Sequence, residues 1–108
     1  MSFLGTLSDA LTPGTKVNVA DVPVGGGLVL GDGPYVITQP TESDFHAFRK
    51  NCPHQMRQVD RVTSEGIHCS AHGSMFNLSD GQPLCGPAAR PLKEARVQVK
   101  GDRLVITG

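Results

Sequence analysis

Charge of either sign is not in excess in this chain: 10 Lys and Arg offset 10 Asp and Glu, so no global basic field exists to hold a nucleic-acid backbone or an anionic membrane surface. No apolar run approaches the roughly 18 residues of a membrane span, and the N-terminus lacks the basic flank and apolar core of a secretion signal. Cysteine is scarce. Three residues, unevenly placed, are too few for a disulfide framework, which favours a reducing compartment and predicts a cytoplasmic protein. Aromatics make up 5% of the chain, and there is no internal repeat, charge run or low-complexity segment. Nucleic-acid partners and a membrane segment in this chain are therefore not expected.

What is present is Gly 13 and Pro 8 in 108 residues, with 38% apolar residues, the balance of a turn-rich β domain with one modest core. We expect a single domain over residues 16–108, preceded by a leader or short helix over 1–15, where Phe3, Leu4, Leu7 and Leu11 share one face. Alternation predicts an edge strand at Lys16–Val19. A hairpin follows from Leu28–Leu30 and Tyr35–Thr38, then a strand over Phe45–Phe48. Ala95–Lys100 and Arg103–Thr107, joined by Gly101-Asp102, read as a C-terminal hairpin. The Pro- and Gly-rich stretch to Pro91 reads as loop. The fold class is all-β and mostly antiparallel, a small sandwich or partly open barrel.

Two short pairs of metal-ligating residues stand out, Cys52-Pro53-His54 and Cys69-Ser70-Ala71-His72, with 14 residues between His54 and Cys69. Each pair places a thiolate and an imidazole on one tight loop, and two such loops side by side could grip a metal centre. Zinc accepts the same donors, although structural zinc sites usually pair Cys with Cys and His with His. A Cys52–His72 nucleophile lacks any identifiable orienting carboxylate or oxyanion donors. Gly25-Gly26-Gly27 has no following Gly-Lys-Ser/Thr to make a phosphate loop.

With His72-Gly73-Ser74, Phe76-Asn77 and Gly81, Gly86-Pro87-Ala88 and Pro91-Leu92 added, the pattern resembles the Rieske [2Fe–2S] family from about Lys16 to Thr107. The resemblance implies one [2Fe–2S] cluster in a two-loop subdomain, with Cys52 and Cys69 on the buried iron and His54 and His72 on the exposed one. Soft thiolates suit the ferric end and neutral imidazoles the more reducible end, so the implied chemistry is one-electron transfer. By the same resemblance Gly73 turns the backbone past the cluster, Ser74 donates a hydrogen bond to a sulfide, Phe76 takes a cluster-side position where high-potential members have a tyrosine bonded to a ligand sulfur, and Pro87 belongs to a covering loop. The implied role is a soluble ferredoxin between a reductase and an oxygenase or other acceptor, which transforms no substrate of its own. The alternatives are a small subunit of a multi-component oxidoreductase, and a structural zinc or cofactor-free interaction domain.

The departures bear on potential. Quinol-oxidising members carry a disulfide between the ligand loops, at positions that correspond to Arg57 and Ala71 here, and a tyrosine where this chain has Phe76. Dioxygenase-type ferredoxins also lack the disulfide but usually lack the Gly-Ser that this chain retains. An intermediate midpoint is expected within the family range of about −150 to +300 mV. Arg49, Lys50, Arg57 and Arg61 flank the first ligand loop as a local basic patch. His46 and His68 read as structural, and Cys85 as a partly buried loop thiol.

Overall fold

The computed structural model describes residues 14–52, 57–70, 73–86 and 88–108. The expected helix over 3–11 lies outside them. Ten strands account for the described architecture: β1 (Thr15–Asn18), β2 (Gly26–Val29), β3 (Tyr35–Gln39), β4 (His46–Arg49), β5 (Arg61–Thr63), β6 (Gly66–Cys69), β7 (Ser74–Phe76), β8 (Pro83–Cys85), β9 (Glu94–Lys100) and β10 (Arg103–Thr107). The only helical element among the described residues is a single 3₁₀ turn at Val19–Asp21.

Six strands form one antiparallel sheet in the order β1-β10-β9-β4-β3-β2, and four form a second in the order β5-β6-β7-β8. Both expected hairpins are present, with Leu28 opposite Ile37 and Leu104 opposite Val99. Gly101 supplies the left-handed residue of the last turn, at φ 64°. Two differences from expectation occur around the second sheet. Pro83–Cys85, expected as loop, is strand β8, and β5 and β6 make a hairpin that alternation in so short a stretch does not announce. Proline is admissible in β8 because it begins an outermost strand, where its missing N–H breaks no ladder.

The second sheet belongs to an excursion between β4 and β9, which are themselves paired through Ala47–Ala95 and Phe48–Glu94. The neck of this excursion is closed by Arg49 N–H donating to Lys93 O at 2.8 Å and Lys50 N–H donating to Pro34 O at 2.8 Å. Strands β3 and β4 are buried on both faces, and the period of two sorts their side chains into two cores. Ile37 and Ala47 join Val17, Tyr35, Leu104 and Ile106 within the curled large sheet. Val36 and Phe48 face the other way and pack with Ile67, Phe76, Ala88 and Leu92 of the excursion. Phe45 and Ala47 thus fall on one face and Phe48 on the other, as the alternation predicted. Thr38 Oγ1 adds a hydrogen bond across this join, donating to Leu78 O at 2.6 Å.

Candidate metal centre

Both candidate cysteines lie in the core that joins the two sheets. Cys52 and Cys69 are buried together with Val36, Phe48, Val59, Ile67 and Phe76. Their places follow from one hairpin. Loop 1, which carries Cys52, enters β5 at Asp60, and loop 2 leaves β6 at Cys69, so both loops spring from the open end of β5–β6.

Each loop is closed on itself by backbone. In loop 1 the Cys52 amide donates to Arg57 O, Asn51 bridges Gln58, and Val59 N–H donates to Lys50 O at 2.8 Å. In loop 2 Gly73 N–H donates to Cys69 O at 3.0 Å. Between the loops, Asp60 N–H donates to His68 O at 2.9 Å, and the Cys69 thiol lies 3.7 Å from Gln58 O. His54, His72 and Pro87 lie outside the described residues, so the structure places half of the candidate ligand set.

Gly73 has φ 80°, and a Cβ there would meet nothing within 4 Å. Among the described residues what requires glycine is therefore the left-handed backbone, not crowding. Ser74, which follows, is 1% exposed and its Oγ accepts a hydrogen bond from Ala88 N–H at 3.0 Å. Among the described residues nothing accepts the Ser74 hydroxyl hydrogen. Phe76 is fully buried in the same core as both cysteines.

The third loop is gathered in by the Asn77–Gly81 turn. Asn77 Oδ1 accepts from the amides of Ser79 and Asp80, Gly81 N–H donates to Asn77 O, and Leu92 N–H donates to Gly81 O. Gly81 sits at φ 71° with the Phe48 ring 2.9 Å from where its Cβ would be. Asn77 and Gly81 thus shape the turn that returns the chain towards the core shared by Ala88 and the two cysteines.

The remaining expectations divide. His68 faces away from Cys69, with Nε2 2.8 Å from Thr63 Oγ1 and Nδ1 3.4 Å from an Arg61 nitrogen, which is a structural role. His46 Nε2 lies 2.9 Å from Asp44 Oδ1, a distance fit for an ion pair though not aligned as a hydrogen bond. The basic patch is smaller than the sequence suggests. Lys50 is buried and donates to Leu30 O at 2.6 Å, while the Arg49 guanidinium stacks 5.2 Å from the Tyr35 ring centroid, which leaves Arg57 and Arg61 exposed. Cys85 also differs: it is exposed on the outermost strand β8, its thiol donating to Gly73 O at 3.4 Å, because the outward side of an edge strand has no neighbour to cover it.

The donor set fits an iron–sulfur cluster. None of Cys52, Cys69 and Cys85 is in a disulfide, so the two buried cysteines keep the soft donors that iron requires, and Ser74, opposite Cys69 in the β6–β7 register, has a buried hydroxyl hydrogen with no acceptor among the described residues. Sequence reasoning found these residues but not Asp60 and Ser70, whose side chains meet between the loops, since no spacing rule links them.

Known proteins give the same frame. The chain is 27% identical over 93 residues to the ferredoxin component of a naphthalene 1,2-dioxygenase system from Pseudomonas aeruginosa, covering 83% of this chain and 89% of that protein. It is 27% identical over 108 residues to a cytochrome b6-f complex iron-sulfur subunit from Chlorobaculum thiosulfatiphilum, of whose length the match covers 59%. In fold it is similar to the ferredoxin of carbazole 1,9a-dioxygenase from Nocardioides aromaticivorans IC177, with a TM-score of 0.70 at 18% identity over 89% of this chain and 98% of that one. The family model described as Rieske [2Fe-2S] domain matches residues 14–101, and the chain belongs to that family.

Proposed function

We propose that this protein is a one-electron carrier of the Rieske ferredoxin kind, passing electrons from a reductase to an oxygenase or another acceptor. The observation that carries the reading is the burial of Cys52 and Cys69 in one core, at the roots of two loops launched from a single hairpin. When bound, the cluster supplies reversible exchange of single electrons without any exchange of atoms.

Cys52 and Cys69 hold the inner iron and His54 and His72 the outer one. The cysteine side is enclosed by Phe48, Phe76 and Val59, so a partner approaches from the opposite side. Ser74 is fixed by Ala88 N–H with its hydroxyl hydrogen left to donate to the cluster, and Gly73 supplies the turn that puts it there. Phe76 forms an apolar floor, and Pro87, in the loop between Gly86 and Ala88, helps exclude water. Residues 16–108 form the electron-transfer domain, whose first strand begins one residue earlier, at Thr15. No helix among the described residues is long and apolar enough to cross a membrane. Cytoplasmic placement is part of this proposal, supported by three cysteines outside any disulfide.

A second reading has a specific observation behind it. One relative is an iron-sulfur subunit of a cytochrome b6-f complex, which favours a small subunit of a multi-component oxidoreductase. Iron and acid-labile sulfide in freshly purified protein test both. Two of each per chain, with a rhombic electron-paramagnetic signal after reduction, is expected; stoichiometric zinc would overturn the assignment. Reversible redox cycling of the isolated chain favours the carrier, and obligate co-purification with a large redox subunit favours the second reading.

A further inference from the structure

Asp60 and Ser70 meet at the point where the two ligand loops part. Asp60 is the last residue of loop 1 before β5, and Ser70 is the first residue of loop 2 after β6. One carboxylate oxygen, Asp60 Oδ1, accepts from Ser70 Oγ–H at 2.9 Å and from Ser70 N–H at 3.2 Å. We propose that this pair is a noncovalent clasp that keeps the loops from splaying, which makes Asp60 a positioning residue for the cluster. The inference rests on the reading of Cys52, His54, Cys69 and His72 as ligands.

Three observations carry it. First, the clasp sits one rung beyond the ladder of β5–β6, where the backbone pairing ends with Asp60 N–H on His68 O and the strands would otherwise diverge. Second, the loops have no covalent tie among the described residues, since none of Cys52, Cys69 and Cys85 is in a disulfide. Third, Ser70 directly follows Cys69, so a fixed Ser70 amide fixes the peptide from which that ligand projects. A carboxylate accepting two bonds from one residue is stronger than a neutral pair, and it restrains direction as well as distance. Its charge also acts. A negative group fixed on the residue that follows Cys69 would oppose the addition of an electron at the centre Cys69 holds, so Asp60 holds the loops together and biases the potential downward.

These two effects separate in different variants. Asp60→Ala removes clasp and charge; Asp60→Asn removes the charge but keeps an oxygen able to accept both bonds; Ser70→Ala keeps the charge and the amide bond. Iron release to a chelator should be about tenfold faster in Asp60→Ala, the scale of one charge-assisted hydrogen bond. Asp60→Asn should stay near wild type and Ser70→Ala should fall between. The midpoint should rise in both Asp60 variants and hold in Ser70→Ala. Adding Ser70→Ala to Asp60→Ala should cause no further loss, because the partner is already gone.

Hydrogen exchange at Ser70, read by mass spectrometry on the peptide containing it, gives a measurement that needs no cluster: protection in wild type and Asp60→Asn, and loss of it in Asp60→Ala. Equal release from wild type and Asp60→Ala in a protein that carries two irons and two sulfides would overturn the clasp alone, as would an Asp60→Asn variant as labile as Asp60→Ala. A wild-type chain without iron and sulfide would overturn the ligand reading and the clasp's role with it.

Discussion

Ser74 Oγ accepts the Ala88 amide at 3.0 Å, and this one hydrogen bond joins the second ligand loop to the third loop across 14 residues of chain. Both partners are buried, so the bond closes the site and also satisfies a donor that water cannot reach.

Replacing Ser74 by Ala should therefore have two effects. The orphaned Ala88 N–H should cost about 1–3 kcal/mol of stability, and the lost hydroxyl donor should lower the reduction midpoint. Chemical denaturation and protein-film voltammetry read the two separately. An unchanged midpoint alongside reduced stability would show that the hydroxyl serves only the loop.

Phe76→Tyr tests the other implied donor position. The ring is fully buried in the core that holds Cys52 and Cys69, so an added hydroxyl is cut off from water and needs an acceptor within that core. A raised midpoint with stability maintained is the expected outcome. A loss of about 1–3 kcal/mol with no change in midpoint would place the hydroxyl away from the cluster.

His54→Cys and His72→Cys should each shift the visible and electron-paramagnetic spectra and lower the midpoint, because an anionic thiolate stabilises the oxidised outer iron more than imidazole does. Spectra that match wild type in both variants would contradict the ligand assignment.

Gly81→Ala asks how the third loop is held. At φ 71°, with a Phe48 ring carbon 2.9 Å from the new Cβ, it should destabilise by more than about 1 kcal/mol. It should also speed cluster loss, since the Gly81 carbonyl anchors Leu92 and with it the loop carrying Ala88. A thermal midpoint equal to wild type would show that this turn tolerates repacking.

Exposed Arg57 and Arg61 near the ligand loops should steer an acidic partner, giving electron-transfer rates that fall as salt rises. Stopped-flow rates across a salt series check this. Arg57→Glu should flatten the dependence, whereas Lys50→Met should leave it unchanged, because Lys50 is buried against Leu30 O.

The parts legible in the sequence are those specified by neighbours along the chain. The C-terminal hairpin follows from two alternating runs about a Gly-Asp turn, and the ligand pairs from spacings of two and three positions, all of which are local geometry. Strand β8 was not legible, because a Pro–Leu–Cys run has no strand preference of its own and becomes a strand only when β7 offers it a partner. The same holds for the basic residues. Arg49, Lys50, Arg57 and Arg61 are alike as charges along the chain, and only packing separates Lys50, drawn into the neck, and Arg49, laid on Tyr35, from the two that face solvent.

The order of residues thus determined the kind of centre this chain can hold, since donor type and spacing are properties of short segments. Folding decided how that centre is braced: Ser74 against Ala88, Asp60 against Ser70, and both cysteines in one core with Phe48 and Phe76. Each of those partnerships joins segments far apart in sequence, or turns on which way a side chain leaves its strand, and both are settled only when two sheets close on a common core.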